Sequence, residues 1–162
     1  MTKRPNILLI TADDMNWDAV GAYGCPVRDT TPNIDRLASK GVRFDYAHVT
    51  IAVCQPSRSV LMTGRYPHRN GGEGFFHLRQ PNVPILPGLL RDAGYQIGIL
   101  GKVEHSTPYG DFRWDMVYDM AELGMGRNPR IYGENAETFI HDASKSNRPF
   151  FLMANSHDPH RP

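Results

Sequence analysis

Three short apolar runs constrain the fold of this chain more than any other feature. They are residues 6–12 (NILLITA), 96–102 (QIGILGK) and 148–156 (RPFFLMANS). Runs of this length that are rich in Leu, Ile and Phe are typical of strands buried on both faces of a sheet. Helical signals lie between them, and strands that alternate with helices pair in parallel. The sequence therefore predicts an α/β fold with a mostly parallel sheet and helices on both faces.

Four segments between these runs carry helix start and stop signals. They are residues 30–41, with Thr31 as a cap, Pro32 in the first turn and Gly41 as a stop, 56–64, 86–95 and 133–146. Each pattern is typical of a short helix of a globular domain. Residues 42–49 (VRFDYAHV) contain β-type residues with partial alternation, which predicts a further strand.

Composition excludes several classes of protein. The chain has 162 residues and a formal charge of +1, which fits one domain without a basic surface for nucleic acid. No apolar stretch approaches the roughly 20 residues of a membrane span. The apolar run after the basic start is brief and ends in two aspartates, so we interpret it as a strand rather than a signal peptide. The cytoplasm and export both remain open. The two cysteines match no metal-binding spacing.

Ionisable side chains follow all three apolar runs. They are Asp13 and Asp14 after the first, Lys102 and His105 at the end of the second, and His157, Asp158 and His160 after the third. Ligands of open parallel sheets bind beyond the carboxyl ends of the strands. We therefore expect these groups to converge on one site at that edge of the sheet.

Two adjacent carboxylates at a strand end, Asp13 and Asp14, repel each other unless a positive charge lies between them. A hard divalent cation with oxygen ligands would satisfy both. The alternative is a solvated acidic turn, which is the more common role of an isolated pair. The buried type of the preceding strand favours the metal.

Cys54 lies in the segment CQPSR (54–58), at the start of a predicted helix. It could be a small buried thiol, or a thiolate nucleophile whose charge the helix N-terminus and Arg58 would favour. The guanidinium of Arg58, one turn further on, suits a tetrahedral oxyanion. The residue types leave these alternatives open.

The segment CQPSR also has the pattern Cys-x-Pro-Ser-Arg, which marks a cysteine for oxidation to formylglycine in the sulfatase family. Further segments resemble that family in the same order: NILLITADD, TPNIDRLASKGVRF, SRSVLMTGRYPHRNG, LLRDAGYQIGILGK and PFFLMANSHDPHRP. Together they cover nearly the whole chain, which makes the match specific. The resemblance implies an alkaline-phosphatase-like α/β fold.

The resemblance also implies a chemistry for Cys54. Its formylglycine would be hydrated to a gem-diol, of which one hydroxyl attacks sulfur and releases the substrate alcohol or amine. The other hydroxyl then expels sulfate as the aldehyde re-forms. By the same resemblance, Asp13, Asp14 and the modified Cys54 would hold Ca²⁺ or Mg²⁺.

Roles for the remaining polar residues follow from the resemblance as well. Arg58 would stabilise the diol, Lys102 would bind sulfate oxygens, and His105 would handle the diol proton. His157 looks like the histidine beside the leaving group, where a general acid is needed. Weaker candidates for substrate contacts are His160, Asp158 and Arg161.

The chain departs from the family pattern in two respects. Many sulfatases have Lys-x-His, whereas His105 here follows Lys102 by three residues, a spacing similar to that of iduronate-2-sulfatase-like members. Family members also run to several hundred residues and complete the metal site with later acidic, amide and lysine groups. The resemblance therefore predicts that residues 1–162 are the N-terminal portion of a sulfatase catalytic domain, with its sheet incomplete at the C-terminal end. Catalysis would need the remainder.

The implied function is hydrolysis of a sulfuric ester or sulfamate. The segment HDPHR is similar to the N-sulfoglucosamine sulfohydrolase branch and GKVxH to the iduronate-2-sulfatase branch, so we expect a sulfated sugar as the substrate, either as a small molecule or within a glycan. Two alternatives remain: a phosphonate monoester or phosphodiester hydrolase of the same superfamily, and a non-catalytic fragment that binds sulfated sugar.

Overall fold

The fold is built on a four-stranded parallel sheet. A computed structural model describes residues 4–79 and 82–161. Its strands are β1 (Ile7–Asp13), β2 (Gln96–Leu100), β3 (Met116–Tyr118) and β4 (Phe150–Pro159), in the spatial order β1-β4-β2-β3. All three strand pairs are parallel. The predicted parallel sheet is therefore confirmed.

In the part of the chain that the structure describes, six helices connect the strands, together with two 3₁₀ turns at Trp17–Ala19 and Gly21–Tyr23. The helices are α1 (Pro32–Ala38), α2 (Cys54–Thr63), α3 (Pro67–Asn70), α4 (Leu86–Asp92), α5 (Val103–Ser106) and α6 (Pro129–Lys145). Across residues 4–79 and 82–161, none of these helices combines the length and the hydropathy that crossing a bilayer requires.

Two apolar clusters hold the helices against opposite faces of the sheet. Ile97, Ile99 and Met153 point to one face, where Met62 of α2 packs in the same cluster. The alternate side chains of the same strands, Leu100, Phe150 and Leu152, point to the other face. There they form the second cluster with Phe139 and Ala143 of α6. Because successive residues of a strand face opposite sides of the sheet, β2 and β4 are buried on both of their faces.

The strand β1 differs from this pattern. It lies at an edge of the described sheet, where Leu8 is 49% and Ile10 67% exposed. The other face of β1 packs against the first cluster through Ile7 and Leu9. The prediction of burial on both faces is therefore wrong for this strand, because the layer formed by α6 covers β2 and β4 and no described element covers β1 on that side.

Residues 42–49 form no strand, so that prediction is wrong. Val42, Phe44 and Tyr46 are 70–90% exposed. The segment is held by isolated hydrogen bonds instead of a ladder, such as the bond that the Tyr23 hydroxyl donates to Phe44 O (2.8 Å). β-Type residues form a strand only where a partner edge is available, and none of the described strands pairs with this segment.

The predicted helices are present with shifted ends. α1 ends at Ala38, before the predicted stop, and α2 begins at Cys54 itself, with Val53 at its N-cap. α6 begins four residues earlier than predicted, because the Asn128 side chain accepts from the backbone N–H of Arg130 (3.1 Å). The short elements α3, α5 and β3 were not predicted.

Candidate active site

The strand register brings polar side chains to one end of the sheet. Leu100, the last residue of β2, lies opposite Ala154, and Asp13, the last residue of β1, lies opposite Pro159, so β2 ends beside the middle of β4 and β1 beside its C-terminal end. Asp13 ends β1, and Lys102 follows β2. Their side chains form an ion pair that is less than a tenth exposed. The expected convergence of charged groups therefore occurs at the carboxyl ends of the strands.

Arg58 of α2 enters this cluster from the helix side. Its Nη2 atom lies 3.6 Å from Asp13 Oδ1. Its Nη1 atom donates to Asn155 Oδ1 (2.6 Å), Ser106 Oγ (3.2 Å) and Thr11 Oγ1 (3.3 Å). One guanidinium thus joins α2 to β1, β4 and α5, and it fixes the helical turn that carries Cys54.

Asn155 is the hub of this network, and the sequence analysis did not identify it. It is fully buried within β4 and accepts from Thr11 Oγ1 (2.7 Å) as well as from Arg58. Its Nδ2 atom donates to Gly101 O (2.8 Å). The available signal was a lone amide inside the apolar run FFLMANS, because a buried amide needs partners for all of its polar atoms.

The backbone between β2 and α5 turns sharply at Gly101 and Lys102, which have φ angles of 70° and 50°. A Cβ atom on Gly101 would lie 2.4 Å from Asn155 O and 2.3 Å from the Tyr132 hydroxyl. Only glycine fits there. The Tyr132 hydroxyl donates to Asn155 O (2.6 Å). Burial, together with the charge of Asp119, raises the pKa of Tyr132 to about 12.

The charges in the cluster influence one another. Burial opposes ionisation of Asp13, but the contact with Lys102 and the charge of Arg58 outweigh it and hold the Asp13 pKa below its ordinary value. Burial also lowers the pKa of Arg58, and Asp13 partly offsets this effect. The cluster therefore contains two cations and one carboxylate, so it carries a net positive charge suited to an anion.

The two histidines beside the cluster have lowered pKa values. Burial, followed by the positive charge of Lys102, lowers the pKa of both His105 and His157. The Nδ1 atom of each ring is buried without a hydrogen bond in the part of the chain that the structure describes. The His105 ring packs edge-on against Phe75, with centroids 5.6 Å apart.

A cleft of about 550 Å³ opens beside the buried cluster. It brings together five of the residues predicted from sequence, namely Lys102, His105, His157, His160 and Arg161. Its wall also contains residues that were not predicted, among them Asp119, Met120, Met125 and Arg127. The predicted residues outside this lining are Asp13, Asp14, Cys54, Arg58 and Asp158.

Three of these remaining residues lie in defined environments. Cys54 is the first residue of α2, is half-buried and has a free thiol, which disfavours its interpretation as a core residue. The carboxylate of Asp158 pairs with Arg127. The carboxylate of Asp14 lies 3.8 Å from His160 Nε2 and is 65% exposed.

The donor chemistry at the end of β1 suits a hard cation. Asp13 Oδ2 is buried and pairs with the Lys102 ammonium. Among residues 4–79 and 82–161, no group of three or more His, Cys, Asp or Glu side chains is assembled for a metal. Asp13 and Asp14 are carboxylates of the kind that calcium takes among its 6–8 oxygen ligands, and a cation at Asp13 would have to displace Lys102 from Oδ2.

Comparison with known proteins identifies relatives along the whole chain. A family model described as Sulfatase matches residues 5–162. N-acetylglucosamine-6-O-sulfatase of Bacteroides thetaiotaomicron is 32% identical over 99% of this chain and 31% of its own length. Human N-sulphoglucosamine sulphohydrolase is 35% identical over 96% of this chain and 32% of its own length. The chain therefore spans about a third of the length of these curated relatives.

Solved structures share the fold of this chain. A protein in complex with its substrate D-glucosamine-2-N,6-O-disulfate has a TM-score of 0.80 and 28% identity, over 98% of this chain and 35% of that one. The phosphonate monoester hydrolase of Agrobacterium radiobacter has a TM-score of 0.70 and 23% identity, over 98% and 42% of the two chains. The second likeness shows the fold alone.

The buried ion pairs yield a test of stability. Asp13→Asn removes the carboxylate but leaves Lys102 and Arg58 buried, so the free energy of unfolding should fall by about 3 kcal/mol. Asp14→Asn is the matched control, and its exposed carboxylate should change stability by less than about 0.5 kcal/mol. Chemical denaturation with a chelator present measures both, and equal losses would contradict the assigned role of Asp13.

The neutral histidines yield a test by pH. Their pKa values are lower in the folded chain than the ordinary value of 6.5, so the unfolded chain binds more protons just below that pH. The free energy of unfolding should therefore fall as the pH is lowered from about 7 to about 5. His157→Gln should weaken this dependence, whereas His141→Gln, at an exposed position of α6, should retain it.

Proposed function

The chain belongs to the sulfatase family, and we propose that the protein hydrolyses a sulfate ester or sulfamate on a sulfated glycan. The observation that carries this proposal is the buried cluster of Lys102 and Arg58 around Asp13, beside a cleft lined by histidines. Such a cluster provides fixed positive charge for an oxyanion where water is largely excluded.

We further propose that Cys54 is the precursor of formylglycine. When formed, that group would supply the nucleophile as a hydrated aldehyde. Arg58 would position residue 54 and stabilise the diol. Its hydrogen bonds to Asn155, Ser106 and Thr11 hold the first turn of α2 against the strand ends. The free, half-buried thiol of Cys54 at the start of that helix is accessible for such chemistry.

The cleft residues would bind and activate the sulfate group. Lys102 reaches the cleft from its left-handed turn and would contact sulfate oxygens as a compact cation. His105, whose pKa burial and Lys102 lower, would accept a proton from the nucleophile. A bound sulfate would offset the charge of Lys102 and raise the pKa of His157, which can then donate a proton to the leaving oxygen or nitrogen.

Asp13 and Asp14 would hold Ca²⁺ or Mg²⁺ together with the modified residue 54. The ion would supply positive charge to the nucleophile and to the sulfate oxygens. Asp13 would contribute a buried carboxylate, released from Lys102, and Asp14 would contribute an exposed one on a left-handed turn with φ of 60°. The remaining ligands would come from elsewhere in the protein or from water.

The proposed substrate is a sulfated amino sugar, as a unit of a glycan. Two relatives are named for sulfated glucosamines, and one solved protein holds a sulfated glucosamine as its substrate. His160 and Arg161 also line the cleft and would contact the sugar beyond the sulfate. Asp158, paired with Arg127, would orient this segment.

The state of Cys54 provides the first test. Trypsin should release residues 44–58, and mass spectrometry of protein from its native source should find an aldehyde in place of the thiol. Cys25 is the internal control because it lacks the Pro-Ser-Arg context and should stay a thiol. An intact Cys54 thiol in that protein would contradict the proposed nucleophile.

A parallel assay provides the second test. The matured protein should turn over an aryl sulfate faster than an aryl phosphonate, and Lys102→Ala should lower kcat/KM for the sulfate about 100-fold. Lys145→Ala, at the exposed end of α6, should leave it unchanged. Faster turnover of the phosphonate would favour the phosphonate hydrolase alternative, and binding of sulfated sugar without turnover would favour the non-catalytic one.

A further inference from the structure

The segment between β3 and α6, residues 119–128, folds into a compact turn that we name the glycine turn. Three successive residues, Gly124, Met125 and Gly126, have positive φ angles of 59°, 59° and 71°. The turn closes on itself through backbone hydrogen bonds, such as Gly126 N to Met120 O (3.1 Å) and Asn128 N to Leu123 O (3.2 Å). These bonds make it a defined structure rather than an extended link.

The glycine turn contacts the end of β4 on both sides of His157. Gly126 O accepts from His157 N (3.1 Å). The guanidinium of Arg127 pairs with the Asp158 carboxylate and donates to His160 O (2.9 Å). The backbone before and after the imidazole is therefore anchored to this turn.

Gly126 also sets the position of the imidazole ring itself. A Cβ atom on Gly126 would lie 1.8 Å from His157 Nδ1, 2.4 Å from Cγ and 2.5 Å from Cε1. No side chain other than hydrogen fits between this backbone and the ring. The ring thus lies directly against the backbone of the turn at Gly126, and this contact orients it.

We propose that Gly126 and Arg127 are positioning residues for His157, an inference that rests on the proposed function. Gly126 lets the backbone of the turn support the imidazole directly, and Arg127 holds the segment that follows it. Neither residue needs to touch the sulfate. The glycine turn thus aims His157 at the leaving group from one wall of the cleft.

The main test is Gly126→Ala in the matured protein. The added methyl group should displace the imidazole and lower kcat for an aryl sulfate about 100-fold, with a much smaller change in KM. Gly64→Ala is the matched control, because Gly64 has a similar φ of 63° and its Cβ would meet nothing within 4 Å. The control should lose stability but keep kcat.

A double-mutant cycle shows whether Gly126 acts through His157. In a His157→Ala background the ring is absent, so adding Gly126→Ala should lower kcat by less than about threefold. The melting temperature should show the same coupling, since the clash disappears with the ring. Independent, multiplicative effects on kcat in the two backgrounds would overturn the proposal.

A structural readout separates this inference from the proposed function. In the unsubstituted protein, NMR should detect contacts between the Gly126 α-protons and the His157 ring. Arg127→Gln should weaken these contacts, because the segment after His157 loses its hydrogen bonds to the turn. Absence of these contacts would overturn the proposal whatever the activity. If the contacts are present but His157→Ala keeps full kcat, the positioning stands and the catalytic role of His157 fails.

Discussion

The arrangement of this site depends on the burial of one guanidinium, that of Arg58. A buried cation loses its hydration and is stable only if neighbouring groups replace those interactions. Asp13 supplies the opposite charge, and Asn155, Ser106 and Thr11 accept hydrogen bonds from Arg58. These partners come from separate elements. The same contacts that solvate Arg58 therefore fix α2, and with it Cys54, relative to the strand ends.

The electrostatics of the site follow from this constraint. Arg58 and Lys102 share one carboxylate, Asp13, so the cluster keeps an excess of positive charge at the base of the cleft. That charge adds to burial in lowering the pKa of His105 and His157. The site is thus prepared for an anion, whose arrival would change the proton affinity of both histidines.

The sequence predicted the parallel sheet and the convergence of charge, because apolar runs and strand ends are local features. It failed where a role depends on partners distant in the chain. Within residues 4–79 and 82–161, the segment 42–49 has β-type side chains but no strand edge beside it, and no described helix covers β1 on the face where α6 covers β4. Asn155 and Gly126 carry no motif, since their importance lies in what approaches them in three dimensions.

We expect the first turn of α2 and the ends of β1, β2 and β4 to form one sulfate site. A crystal structure of the matured protein with bound sulfate tests it most directly. We expect a sulfate oxygen about 3 Å from Lys102 Nζ, with the side chain of residue 54 facing the sulfur and the His157 ring resting on Gly126. A sulfate bound away from Lys102, with residue 54 turned from it, would contradict the account.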